Sequence, residues 1–184
     1  MKKFLHWVAT AATLTFTVPI QASQNDARLP ALFDQLKQAQ SPDDAVTIEH
    51  AIWQVWLLSG NGSVDAQILR GLQAMGEGRN EEALAAFTRA IEAQPDFAEA
   101  WNKRATVNYI MGRFRDSVLD IQKTLSLEPR HFGALSGLGL INLAMGRDRE
   151  ALKAFEAALR IHPFMPGAKT HIRQLREKIH GKGI

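Results

Sequence analysis

"FAEAWNKRATVNYIMGRFRDSVLDIQKTLSLEPRH", residues 97–131, decides the fold, because its landmarks recur on both sides at one fixed interval of 34 residues. Pro129 has counterparts at Pro95 and Pro163, and Gly112 at Gly78 and Gly146. Ile121 is matched by Phe87 and Phe155, Thr124 by Ala90 and Ala158, and Ser117 by Ala83 and Ala151. The branched Leu125 keeps step with Ile91 and Leu159. Self-similarity at a constant interval marks a repeat architecture, in which each unit buries its apolar face only against its neighbours.

The residue types fit two antiparallel helices per copy. Small residues at two places let helices approach closely while one large residue fills the space between them. Glycine suits the reversal between the helices, and proline stops the second one. Each copy resembles a tetratricopeptide repeat. The middle copy carries Trp101, Ala105, Gly112, Phe114, Ser117, Ile121, Thr124 and Pro129 at the family's places. The first copy carries Gly71, Gly78, Ala83, Phe87, Ala90 and Pro95. The third carries Leu135, Gly139, Gly146, Ala151, Phe155, Ala158 and Pro163. Gln67 departs from the pattern at the aromatic place, and Arg70 and Arg104 depart from it where leucine is usual. The resemblance implies an all-α, right-handed α-solenoid with repeats at 64–97, 98–131 and 132–165.

A glycine-rich run inside the third copy, "HFGALSGLGLINLAMG" at 131–146, could be taken for a phosphate-binding loop. No strand signal precedes it and no Lys-Ser/Thr follows, so neither nucleotide fingerprint is met. Gly139 falls in the column of Gly71 and Ala105, a helix–helix contact, and Gly146 falls in the turn column. That leaves Gly133 and Gly137, four apart on one helix face. Three interior glycines cost roughly 2–3 kcal/mol against alanine, so they need a reason. Two are open: close packing against the neighbouring repeat, or a lowered groove floor that lets a partner approach.

The ends of the array read differently. After Pro166 and Gly167, the positions Ala168, Ile172, Leu175 and Ile179 recur at helical spacing, so 166–184 reads as a capping helix and tail. Upstream, 23–63 reads as a divergent helix pair, a zeroth repeat. Leu32, Phe33 and Leu36 form one apolar stripe, and Ile48, Ile52, Val55 and Trp56 form another. Ser41-Pro42-Asp43-Asp44 supplies N-cap chemistry between the two. Trp56 stands where a repeat needs a small residue, and Trp53 and Trp56 are expected to pack inward against the next repeat, with a binding patch as the other reading. Residues 1–22, with Lys2 and Lys3, an apolar stretch from Phe4 to Val18, and Ala22, have the layout of a cleavable signal peptide. The expected location is therefore the bacterial periplasm, with an uncleaved anchor as the other reading.

Composition narrows the chemistry. The chain has no cysteine, which removes disulfides and thiolate sites. Without Lys2 and Lys3, the 22 Lys and Arg become 20 against 19 Asp and Glu, so no global attraction to nucleic acid is expected. None of His6, His50, His131, His162, His171 and His180 forms a helical ligand pair, and Ser136 lacks a nucleophile elbow. No enzyme, cofactor or metal is expected. Charge is uneven, however: Arg160, Lys169, Arg173, Arg176, Lys178 and Lys182 crowd the C-terminal end. That end reads as a solvated cap face or, alternatively, as a peripheral contact with an anionic envelope surface.

In the tetratricopeptide family the first helices line a concave groove. This resemblance places partner-binding positions at Ile68, Leu72 and Met75, then Glu99, Asn102, Thr106 and Tyr109, then Gly133, Ser136, Gly137, Leu140 and Leu143. Asn102 is favoured because an amide can bond a peptide backbone in both directions. The lysine–asparagine pattern with which some members clamp a C-terminal carboxylate is missing, since its places hold Ile68, Leu72, Lys103, Gly133 and Gly137. The expected role is a scaffold or adaptor for a protein or peptide partner, with self-association as the alternative.

Overall fold

The structure is a computed structural model and describes residues 23–181; residues 1–22, read above as a signal peptide, and 182–184, with Lys182, lie outside the described residues. A short 3₁₀ turn at Ser23–Asn25 leads into nine described helices: α1 Leu29–Gln38, α2 Pro42–Trp56, α3 Gly62–Gly76, α4 Asn80–Ala93, α5 Ala98–Ile110, α6 Phe114–Leu127, α7 Phe132–Ala144, α8 Asp148–Ile161 and α9 Ala168–Gly181.

Three hairpins, α3–α4, α5–α6 and α7–α8, stack in order, with α4 against α5, α6 against α7 and α9 closing the end on α8. The reversal inside each hairpin is the same device. Gly78, Gly112 and Gly146 adopt φ of +74°, +71° and +69°. The next backbone N–H then reaches back to the helix, from Arg79 to Ala74 O, Arg113 to Asn108 O and Arg147 to Asn142 O, each at 2.8 Å. This is the Schellman closure, which satisfies carbonyls that a helix end would otherwise leave open.

Between the two helices of a repeat, residue sizes trade against each other. The ring of Phe155 fills the space over Gly139, where an added Cβ would lie 2.7 Å from it, and Phe87 covers Gly71 in the same way. In the middle repeat both partners change together: Ala105 packs with the smaller Ile121. Arg104, at the place where leucine is usual, is also accommodated. It makes two bonds to the buried Asp120, at 2.9 and 2.6 Å, and lies over Trp101.

The upstream helix pair forms, with Ser41 capping α2 by accepting from the Asp44 N–H at 3.1 Å. It does not continue the stack. In a continuing array α2 would lie along α3, as α4 lies along α5; instead α2 and α3 scarcely touch, and α1 packs on α8. The tryptophans also pack elsewhere than on the next repeat. Trp56 is buried in a cluster with Leu29, Phe33, Leu36, Ile52 and Phe132, flanked by Ile161, Phe164 and Met165 of the third repeat. The physical reason lies in Trp56 itself: an indole at a small-residue place holds a following helix off, while the apolar ends of α7 and α8 accept it. Each large side chain wholly buried there contributes about 1.5–3 kcal/mol, so the α1–α2 hairpin is a fixed wall of the molecule.

Candidate functional site

The hairpin segment reaches the starts of α5 and α7 and the end of α8: Gln24 accepts from the Ala98 N–H, Trp53 packs on His131 and Phe132, and Glu49 meets His162. The Trp53 ring stands over Gly133, where an added Cβ would meet its Cη2 at 2.7 Å. Of the two readings of Gly133, close packing is the one the structure shows, although the packing partner is the upstream hairpin. Gly137 differs: an added Cβ there would meet only Ile121 Cδ1, at 3.4 Å.

A buried polar network anchors this junction. His131 caps α7, its Nδ1 accepting from the Ala134 N–H at 3.1 Å, and its Nε2–H therefore faces Glu99 Oε2 at 2.8 Å. Trp56 stacks on the His131 ring with centroids 4.1 Å apart. Lys103 Nζ lies 2.8 Å from Glu99 Oε1 and 5.1 Å from the centre of the Trp53 ring. Burial pushes the Glu99 carboxyl up, but Lys103 and His131 outweigh it and hold the group below the ordinary carboxylate range. A second pair ties hairpin to stack: Glu49 accepts from Trp53 Nε1 at 3.1 Å and meets His162 Nε2 at 3.0 Å. The bond to His162, working against partial burial, keeps the Glu49 carboxyl low.

Next to Gly133, between α5 and α7, lies a cavity of about 240 Å³. Asn102, Thr106 and Tyr109 from α5 and Gly133, Ser136, Gly137 and Leu140 from α7 line it. These are seven of the twelve positions that the family resemblance places in the groove. The other five lie elsewhere. Ile68 is core of the first repeat, with Leu72 and Met75 packed against that core. Glu99 is buried in the polar network, and Leu143 packs toward the α9 cap. Asn102 donates from Nδ2 to Glu99 at 3.0 Å, which fixes its amide and limits the two-way bonding its type allows. Ala105, Ser117, Ile121, Ile141 and Met165 complete the lining. Sequence reasoning placed none of these five in the groove. Met165 carried a usable signal, because it falls in the column of the buried Phe97 and His131.

The C-terminal end is a shallow furrow between α8 and α9, bordered by Arg160, Lys169, Arg173 and Arg176. Arg176 is held by Glu156 and Lys178 by Asp148, both at 2.7 Å, and Lys169 lies over Phe164. Among the described residues, no group of three or more His, Asp or Glu could hold a metal, and no helix is long and apolar enough to cross a membrane.

Repeated hairpins of this geometry, stacked and capped, define a helical-repeat interaction module. The family model for the tetratricopeptide repeat matches residues 68–113 and 111–166, and the chain belongs to that family. A TPR repeat-containing protein of Rhizobium etli is 41% identical over 160 residues, covering 87% of this chain and 78% of the relative. The first TPR of Spaghetti (RPAP3), bound to the HSP90 peptide SRMEEVD, superposes with a TM-score of 0.63 at 20% identity, over 65% of this chain and 94% of its own. MamA superposes with a TM-score of 0.61 at 20% identity, over 82% of this chain and 84% of its own. Members of the family are protein–protein interaction modules, typically without catalysis.

Proposed function

We propose that this chain is an exported, non-enzymatic adaptor of the bacterial cell envelope that holds a segment of a partner protein on its concave side. The observation that carries the reading is the cavity between α5 and α7. It lies between the first helices of the second and third repeats, and apolar and neutral hydrogen-bonding side chains line it together. The leader-like segment at 1–22 supports export, since a basic start, an apolar run and a small residue at Ala22 are what secretion recognises. The Spaghetti neighbour holds an acidic peptide. Here the one lysine at the groove, Lys103, is engaged by Glu99 and Trp53, so an acidic tail is a poor match. Docking of the α9 end on an anionic surface has weaker support, because Arg176 and Lys178 already have acidic partners.

The test places a photo-crosslinking amino acid at the exposed Thr106 and irradiates intact cells. The reading expects one adduct with an envelope protein, lost when Gly137→Leu fills the cavity. An adduct of two copies of this chain would establish self-association instead, and no adduct at all would overturn the groove reading. Fusing alkaline phosphatase after residue 184 tests export: activity outside the cytoplasm is expected, and an inactive fusion contradicts it.

A further inference from the structure

We infer that the groove has been reduced to a socket for a single uncharged, apolar side chain of Leu, Met or Phe size, presented by a peptide of the partner. This rests on the groove reading above and names the ligand class. Three observations carry it. The first is size. The cavity of about 240 Å³ falls below the roughly 300–1,000 Å³ of small-molecule sites yet exceeds the roughly 150 Å³ that accepts a benzene ring. One side chain fills it and a cofactor does not.

The second is charge. No acidic or basic side chain lines the cavity. The nearby cations are occupied, Lys103 by Glu99 and Arg104 by Asp120. A carboxylate placed inside would lose its hydration with no counter-charge, a loss that far outweighs any contact it could gain. The third is the arrangement of walls. Ile121, Leu140, Ile141 and Met165 supply the apolar surface, and Gly137 leaves the space that a larger residue would take. Ser136 and Tyr109 bring hydroxyls, and Asn102 retains its amide oxygen, so a bound backbone finds both donors and acceptors. Trp53, seated on the far side of the lining residue Gly133, packs beside the cavity at the start of α7. The ligand therefore projects one side chain inward and does not run the length of the superhelix.

The experiment selects binders to the purified full chain from a displayed library of random twelve-residue peptides. A chosen peptide is then titrated in synthetic form. The expected result is a recurring Leu, Met or Phe in a neutral surround. Changing that residue to Asp weakens binding at least tenfold, and Gly137→Leu in the protein does the same. A second variant, Thr106→Lys, adds a cation at an exposed rim position and shifts selection toward acidic peptides. It keeps the test open should Gly137→Leu fail to fold. Selection of acidic peptides by the unaltered chain, or binding indifferent to both substitutions, overturns the socket while leaving groove binding intact. Retention of no peptide overturns the groove reading with it. Concentration-dependent self-association abolished by Gly137→Leu makes a second copy the occupant and likewise overturns the proposal.

Discussion

Gly133 and Gly137 lie one turn apart on α7, and the structure predicts opposite outcomes when a side chain is added. At Gly133 even a Cβ would press into the Trp53 ring at 2.7 Å. Gly133→Leu should therefore destabilise the protein by about 1–3 kcal/mol through overpacking, read by urea unfolding. At Gly137 the nearest atom is the mobile end of Ile121 at 3.4 Å. Gly137→Ala should gain about 0.5–1 kcal/mol from helix propensity. Equal effects at the two sites would contradict the packing described. Titration adds a second test at this scale. The folded Glu99 and Glu49 carboxyls bind protons less readily than in the unfolded chain. Their contribution is fully present above the ordinary value of 4.5 and is lost as pH falls through the lowered folded values. Unfolding midpoints should drop in acid, and Glu99→Gln should flatten that drop; an unchanged acid profile in the variant would refute the role given to Glu99. The repeat columns and turn glycines were legible from residue types alone, because local geometry demands them. The burial of Glu99 was not, because its partner His131 lies a full repeat away.

The helices themselves were mostly readable as elements: Ser41 and Pro42 open α2, Pro129 and Pro163 mark the ends of α6 and α8, and α9 follows Gly167. Where the hairpin docks was not readable. The stripe of Ile52, Val55 and Trp56 fits any apolar surface, and periodicity says which face is buried without saying against what. Trp56 at a small-residue place was the available hint. Its consequence is specific: Trp56→Ala should cost about 3–5 kcal/mol, as large-to-small changes do in a core. The loss should come with loosened protection of α1 and α2 in hydrogen exchange while α3 and α4 keep theirs. Uniform loss across all helices would mean the hairpin is not a separable wall.

For the whole molecule, the stack brings α5 and α7 side by side, and the hairpin packs where α7 begins. Seven of the groove positions placed by the family resemblance share one cavity because α5 and α7 are neighbours with the same register. The first-repeat positions fall outside it, because Ile68, Leu72 and Met75 pack in or against the core of the first repeat. Under the function proposed above, the cavity offers a partner a socket of defined size with no charged side chain in its lining. The contact between Trp53 and Gly133 underlies that account, and nuclear magnetic resonance reads it directly. Nuclear Overhauser contacts between the Gly133 α-protons and the Trp53 indole ring are predicted. Their absence, with contacts from Trp53 to Ile68 or Leu72 of α3 in their place, would show the hairpin stacked as one more repeat and would contradict the account.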